Sequence, residues 1–235
     1  MTGFLASVNN LKDAISVSNY GADIIDLKDP HHGALGGLPI SIIQNIVDHL
    51  WEKSVVSATV GDLEADVSLI LEKIGLVADT GVDYVKVGMF SQAHIEQCLP
   101  SFEYNARRGV RIIAVLFADI KHDTEMAIAC CKKARLAGVM MDTAGKGTGS
   151  LLQHRDIKEL SNFVQLAKKN RLLTGLAGSL RQQDIPTLLP VAPDYLGFRT
   201  ALCQGTQRTA GIDINAVSQV RNQLPHQHST SMRQG

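Results

Sequence analysis

The chain has 235 residues, 45% of them apolar and 20% charged, which excludes a disordered polypeptide and suits the size of one closed α/β barrel. Lysine plus arginine and aspartate plus glutamate number 23 each, so no excess of positive charge points to nucleic acid. No apolar run approaches the roughly 20 residues of a membrane span, and the first ten residues lack the pattern of a secretory signal.

Four cysteines, Cys98, Cys130, Cys131 and Cys203, include no C-x-x-C pair, so reduced thiols in a cytoplasmic protein are expected. In chain order, short β-branched or apolar runs at 4–8, 23–27, 55–60, 84–87, 111–117, 138–142, 171–175 and 195–199 read as strands. Amphipathic patterns such as those at 40–51, 64–78, 93–106, 125–136, 155–169, 181–189 and 214–223 read as helices. Gly21, Gly81 and Gly138 stand where a helix must close before the next strand, and glycine suits the left-handed cap.

Eight such β-then-α units predict an α/β protein, a single (β/α)8 TIM barrel over residues 1–224. The alternative is an open doubly wound sheet, but no G-x-G-x-x-G follows the first strand. The polar segment 225–235, rich in Ser, Gln and His, is expected to be a flexible tail.

Barrel chemistry sits at the carboxyl ends of strands. The second strand ends Asp26-Leu27-Lys28, the fourth carries Lys86 between Val85 and Val87, the fifth runs into Lys121, and the sixth ends at Asp142 with Lys146 beyond. Side chains alternate along a strand, so Asp26 and Lys28 face the same way, and strands two, four and six can bring Lys28, Lys86 and Asp142 into one layer. An ordinary lysine, with pKa ~10.4, is a poor nucleophile at neutral pH. A desolvated lysine beside other cations loses its proton more readily and can form an imine with a carbonyl, while carboxylates within reach move protons.

Gly178 and Ser179 after the seventh strand, Arg199 after the eighth, and Gly145 and Gly147 after the sixth supply the residue types of a phosphate cradle. Adjacent His31 and His32 have no further ligand at metal-binding spacing, so neither a metal nor a cofactor is expected.

The blocks Asp26-Leu27-Lys28-Asp29-Pro30, Gly33-Ala34-Leu35-Gly36, Ser57-Ala58-Thr59-Val60-Gly61-Asp62 and Tyr84-Val85-Lys86-Val87-Gly88 resemble the (5-formylfuran-3-yl)methyl phosphate synthases. Met141-Asp142-Thr143, Gly175-Leu176-Ala177-Gly178-Ser179-Leu180 and Gly197-Phe198-Arg199 extend the likeness, which runs from Phe4 to about Leu224. The resemblance implies a homo-oligomeric TIM barrel that joins two molecules of glyceraldehyde 3-phosphate, with loss of water and one phosphate, into the furan precursor of methanofuran. It implies Lys28 as the imine-forming residue, helped by Asp26, Lys86, Lys121, Asp142 and Lys146. Two other readings stand beside it. One is a phosphosugar decarboxylase or epimerase of the ribulose-phosphate-binding type, in which the lysine of Asp26-Leu27-Lys28 donates a proton and forms no imine. The other is a non-catalytic barrel that binds a phosphorylated metabolite.

Overall fold

The structure, a computed structural model, describes residues 1–63, 66–145 and 149–225, apart from the side chain of Gln92. Lys146, Gly147 and the tail beyond Pro225 lie outside the described residues. Eight parallel strands close in sequence order: β1 (Gly3–Val8), β2 (Ile24–Leu27), β3 (Val55–Thr59), β4 (Tyr84–Met89), β5 (Ile112–Phe117), β6 (Gly138–Asp142), β7 (Leu173–Leu176) and β8 (Tyr195–Phe198). The helices between and after them are α1 (Leu11–Asn19), α2 (Ile40–Leu50), α3 (Val67–Ala78), α4 (Gln92–Arg107), α5 (Thr124–Lys133), α6 (Leu151–His154), α7 (Ile157–Lys169), α8 (Ile185–Leu188) and α9 (Ile214–Gln223). The chain is therefore the (β/α)8 barrel expected from its repeats.

Side-chain caps start most of these helices. Asn10, Asp66, Ser91, Asp123, Asp156 and Asp213 each accept a backbone N–H from the first turn of the helix that follows. At the opposite end of the barrel a second device recurs. Asp23, Asp83 and Asp194 stand just before β2, β4 and β8, and each accepts the amide of a residue on the preceding strand, Phe4, Val56 and Thr174 respectively, at 2.7–2.8 Å. These carboxylates lock strand entry on the stability face.

Strand parity produces two cores. Residues of one parity, including Phe4, Ile25, Leu27, Val56, Val85, Leu116, Val139 and Leu196, pack outward against the helices. The other parity fills the interior with Leu5, Ile24, Val55, Tyr84, Ile113, Val115, Phe117, Met140 and Tyr195. Leu35 joins the inner core although it belongs to the loop after β2, and it is completely buried. A Cβ on Gly88 would meet Leu35, Phe90 and Phe117, so glycine at that position on β4 makes room for the apolar plug. The plug covers the β4–β5 side of the mouth. Its loop is held by paired bonds from the Ala34 and Leu35 amides to the Asp62 carboxylate (2.8 and 2.9 Å) and by the Thr59 hydroxyl on the Gly36 carbonyl (3.0 Å).

Several boundaries differ from the sequence expectation for physical reasons. The helix expected over 181–189 breaks into two 3-10 turns around the short α8, because Pro186 and Pro190 cannot continue an α-helical ladder. The helix expected from 155 begins at Ile157, because Asp156 caps it in a reciprocal box with Glu159, and α6 stands separately before it. Arg171 takes a left-handed turn, so β7 begins at Leu173. Gly21 and Gly81 have φ of 83° and 84° as expected of caps, whereas before β6 the left-handed residue is Arg135. Gly138 instead opens β6, where a Cβ would press on Leu173.

Leu35→Ala should lower the free energy of unfolding by about 2–4 kcal/mol, the usual cost of truncating a buried leucine. Urea unfolding of the purified variant measures this, and a change within error of zero would mean that the loop does not plug the barrel.

Candidate active site

On β1, β2, β3, β4 and β6 interior positions toward the carboxyl ends are polar, in contrast to the apolar layers beneath, whereas β5 ends on the inner-core residue Phe117. Ser7, Asp26 and Ser57 are register partners on β1, β2 and β3, so they occupy one level of the barrel. Asp26 is wholly buried, and its two carboxylate oxygens are shared among three donors: Ser7 Oγ at 2.9 Å, Ser57 Oγ at 2.7 Å and Lys86 Nζ at 2.9 Å. Lys86 is 1% exposed and reaches Asp26 across β3 from β4. Lys28, one inward position above Asp26, stands 3.5 Å from Asp142, which comes from β6 on the far side of the barrel. The Thr143 amide donates to the other oxygen of Asp142 at 2.7 Å.

Burial and charge oppose each other at the deeper pair. Desolvation would raise the Asp26 pKa, but the Lys86 and Lys28 ammonium groups and the bonds from Lys86 and Ser57 outweigh it and hold the carboxyl below its ordinary range. Burial pushes the Lys86 pKa down, assisted by the neighbouring charge of Lys28 and resisted by Asp26. Asp26 is thus a fixed anion, and Lys86 is an amine that gives up its proton more readily than a solvated lysine.

The residues line a small pocket whose walls include Ser7, Asp26, Lys28, Lys86, Asp142 and Arg208. A second, apolar pocket lies among Ile24, Tyr84, Ile113 and Tyr195, and Leu5 and Lys86 line both. Lys86 therefore stands between the polar mouth and the apolar interior.

Of the residues singled out from sequence, Lys28, Lys86, Asp26 and Asp142 meet in this pocket, with Gly178, Ser179 and Arg199 on its wall. Gly178 has φ of 110°, and a Cβ there would meet Thr143, so glycine lets the turn after β7 lie against the end of β6. Ser179 is exposed and itself left-handed, with φ of 50°.

Arg199 differs from the expectation of a phosphate clamp. Its Nε, Nη1 and Nη2 donate to the carbonyls of Arg208 (2.9 Å), Ser7 (3.2 Å) and Ala210 (3.1 Å), so the guanidinium braces the loop after β8. Gly145 also differs, because its amide donates to Asp119 at 2.6 Å, beside that of Ala144 at 2.8 Å. Lys121 is not brought into the pocket. Asp119 turns inward to hold those amides, His122 Nδ1 bonds the Ile120 carbonyl at 2.9 Å, and the Lys121 side chain between them is exposed. Lys146 and Gly147 lie outside the described residues.

Ser7 and Ser57 were not picked out as site residues. Ser7 and Ser57 had a readable signal, since each is a polar residue at inward parity in a largely apolar strand. Among the described residues, no group of three or more His, Cys, Asp and Glu side chains could hold a metal ion, and no helix is long and apolar enough to cross a membrane.

Asp26→Asn should destabilise the fold by about 3 kcal/mol at neutral pH, because it leaves the Lys86 charge buried without its partner. The folded-state pKa of Lys86 then falls further below the unfolded value of ~10.4, so the unfolded chain binds more protons between the two values and stability climbs as pH rises through that window. Urea unfolding at several pH values tests both statements, and a flat deficit across the alkaline range contradicts them.

The family profile described as 4-HFC-P synthase matches residues 4–221. The chain is 37% identical over 219 residues to a Methylorubrum extorquens protein that bears the name (5-formylfuran-3-yl)methyl phosphate synthase provisionally, covering 92% of this chain and 88% of that one. It is 31% identical over 217 residues to the (5-formylfuran-3-yl)methyl phosphate synthase of Methanopyrus kandleri, covering 88% and 92% respectively. The fold is also that of 3-hexulose-6-phosphate synthase from Salmonella typhimurium, with a TM-score of 0.63 at 17% identity over 94% of this chain and 99% of the other. With a match across nearly the whole barrel and relatives above 30% identity, the chain belongs to the 4-HFC-P synthase family of enzymes.

Proposed function

We propose that the pocket joins two molecules of glyceraldehyde 3-phosphate into (5-formylfuran-3-yl)methyl phosphate, with loss of one inorganic phosphate and water, for a methanofuran-type cofactor. In this reading the enzyme is a carbon–oxygen lyase acting on phosphates. The observation that carries it is the presence of two lysine–carboxylate pairs, Lys28–Asp142 and Lys86–Asp26, in one buried pocket.

Such a pocket suits imine chemistry. Lys28 passes a proton toward Asp142 and adds to the carbonyl carbon, and expulsion of water leaves a protonated imine. Loss of the proton on the adjacent carbon then gives an enamine, the electron-rich carbon that adds to the second aldehyde. The dehydrations and the phosphate elimination each need a proton delivered or removed. Lys86, whose pKa is lowered by burial, and the fixed Asp26 anion supply a donor–acceptor couple for them. Gly178, Ser179 and Arg199 border the region where a phosphate would lie. Lys121 and Lys146 remain in this reading only as the further helpers that the family resemblance implies.

The four free cysteines agree with a cytoplasmic setting, and burial keeps the Cys98 thiol protonated by pushing its pKa up to about 11. Exposed Leu71 and Leu76 on α3, and Tyr104 on the adjacent α4, agree with a homo-oligomer.

Borohydride added during turnover of glyceraldehyde 3-phosphate should leave a reduced substrate adduct on Lys28, seen by peptide mass spectrometry. Lys28→Arg should keep the fold and abolish release of phosphate and furan, because a guanidinium stays protonated and cannot form an imine. Full turnover without any trapped adduct would instead favour the decarboxylase or epimerase type of chemistry, in which the lysine only donates a proton.

A further inference from the structure

The loop after β8 carries a second arginine across the mouth of the barrel. Arg208 is partly buried and lines the same pocket as Lys28 and Lys86. Its Nη2 donates to the Gly33 carbonyl at 3.0 Å, so it spans from the β8 loop to the loop that follows β2. The other pocket cations are occupied differently. Lys28 and Lys86 each face a carboxylate, and all three nitrogens of Arg199 hold backbone carbonyls. Arg208 forms no ion pair among the described residues, and Asp142, Asp62 and Asp29 act on it only at longer range.

The formal charges in the pocket point the same way. Among the described residues that line the pocket, Lys28, Lys86, Arg199 and Arg208 stand against Asp26 and Asp142, an excess of two positive charges, while Asp62 and Asp29 act on Arg208 from outside the lining. A phosphate ester carries close to two negative charges at neutral pH. A planar guanidinium can present one edge to a carbonyl and another to two phosphate oxygens, which a lysine ammonium cannot do with the same geometry.

We propose that Arg208 is the side chain that receives a substrate phosphate, gripping it with the donors not engaged by Gly33. The phosphate then lies between Arg208 and the turn at Gly178 and Ser179. The inference rests on the reading of the substrate as phosphorylated and extends it to a residue and a consequence. Gly33 sits in the segment that leaves the barrel at Lys28 and Asp29 and returns through the Asp29–Gly36 bridge. A phosphate bound to Arg208 therefore tightens the loop whose root is Lys28, and occupancy of the anion site positions the reacting amine.

The test uses the full chain, titrated with inorganic phosphate by calorimetry and assayed with glyceraldehyde 3-phosphate. Arg208→Gln should weaken phosphate binding by about 10- to 100-fold, since loss of a charge-assisted pair is worth a factor of that order. It should raise KM far more than it lowers kcat, and Arg208→Lys should recover part of the affinity by restoring charge without the fork. Phosphate should also slow amide hydrogen exchange across residues 29–37 in the unmodified protein, a measurement that needs no variant to fold. Unchanged phosphate affinity in a folded Arg208→Gln variant overturns the inference, as does an exchange pattern indifferent to phosphate. Its fate separates from that of the condensation reading. Phosphate binding that depends on Arg208, without any furan formed, sinks the condensation and leaves the anion site. Furan formation with the same KM in Arg208→Gln does the reverse.

Discussion

The pocket depends on one contact, the ion pair between Asp26 and Lys86 inside the closed sheet. Two ions so deeply buried cost several kcal/mol each in lost hydration, and their attraction offsets this only when the remaining valences are filled. The barrel fills them locally. Strand register sets Ser7 and Ser57 on either side of Asp26, and both hydroxyls donate to it. Hydrophobic side chains of similar shape would serve stability as well or better. A charged pair at the boundary between the polar mouth and the apolar interior suits the chemistry proposed for this pocket, and the apolar layers below supply the stability that it does not.

The mouth is asymmetric, and the asymmetry comes from a loop. Leu35 folds back over β4 and β5 against Phe90 and Phe117, closing that side with apolar groups. What remains open lies over β1, β2, β6, β7 and β8, where Lys28, Asp142, Gly178 and Arg208 border the pocket. Excluding water from half the opening strengthens every charge interaction in the other half, because attraction between unit charges grows as the effective dielectric falls. One loop thus supplies both the plug and, at its root, Lys28.

The barrel was legible from its alternating strand and helix patterns, and its inner lysines from the two-residue period of a strand. Polar residues at inward parity in Asp26-Leu27-Lys28 and around Lys86 announce themselves within apolar strands. The remaining features depend on how distant loops fold, which periodicity does not report. Leu35 reads as a stray apolar residue in a glycine-rich loop, and only closure over Gly88 makes it core. Arg199 and Arg208 are equivalent in residue type, yet carbonyls of the β8 loop and of Ser7 on β1 draw in the first and leave the second spanning the pocket. Lys121 follows its strand in the manner of a site residue, but the inward turn of Asp119 leaves it outside. Pro186 and Pro190 were visible in the sequence, and they account for the broken helix after β7.

The two lysines sit at different depths, and the depth suggests a division of labour. Lys86 is held at 2.9 Å by a carboxylate that is itself held by two serines, all on strands, so its nitrogen has little freedom to follow a substrate. Lys28 faces Asp142 at a looser 3.5 Å, from the point where the chain leaves β2 for a loop. Imine formation moves the nitrogen through a tetrahedral stage and then requires the new C=N group to turn toward a second reactant. A residue at the hinge of a loop can accommodate that motion, whereas one locked across three strands cannot. Fixed position is an advantage for a proton carrier, whose task is to present the same distance at each transfer. Under the proposed imine mechanism this geometry would suit Lys28 to covalent attachment and Lys86 to proton movement, with Asp26 setting the balance between the charged and neutral forms of Lys86.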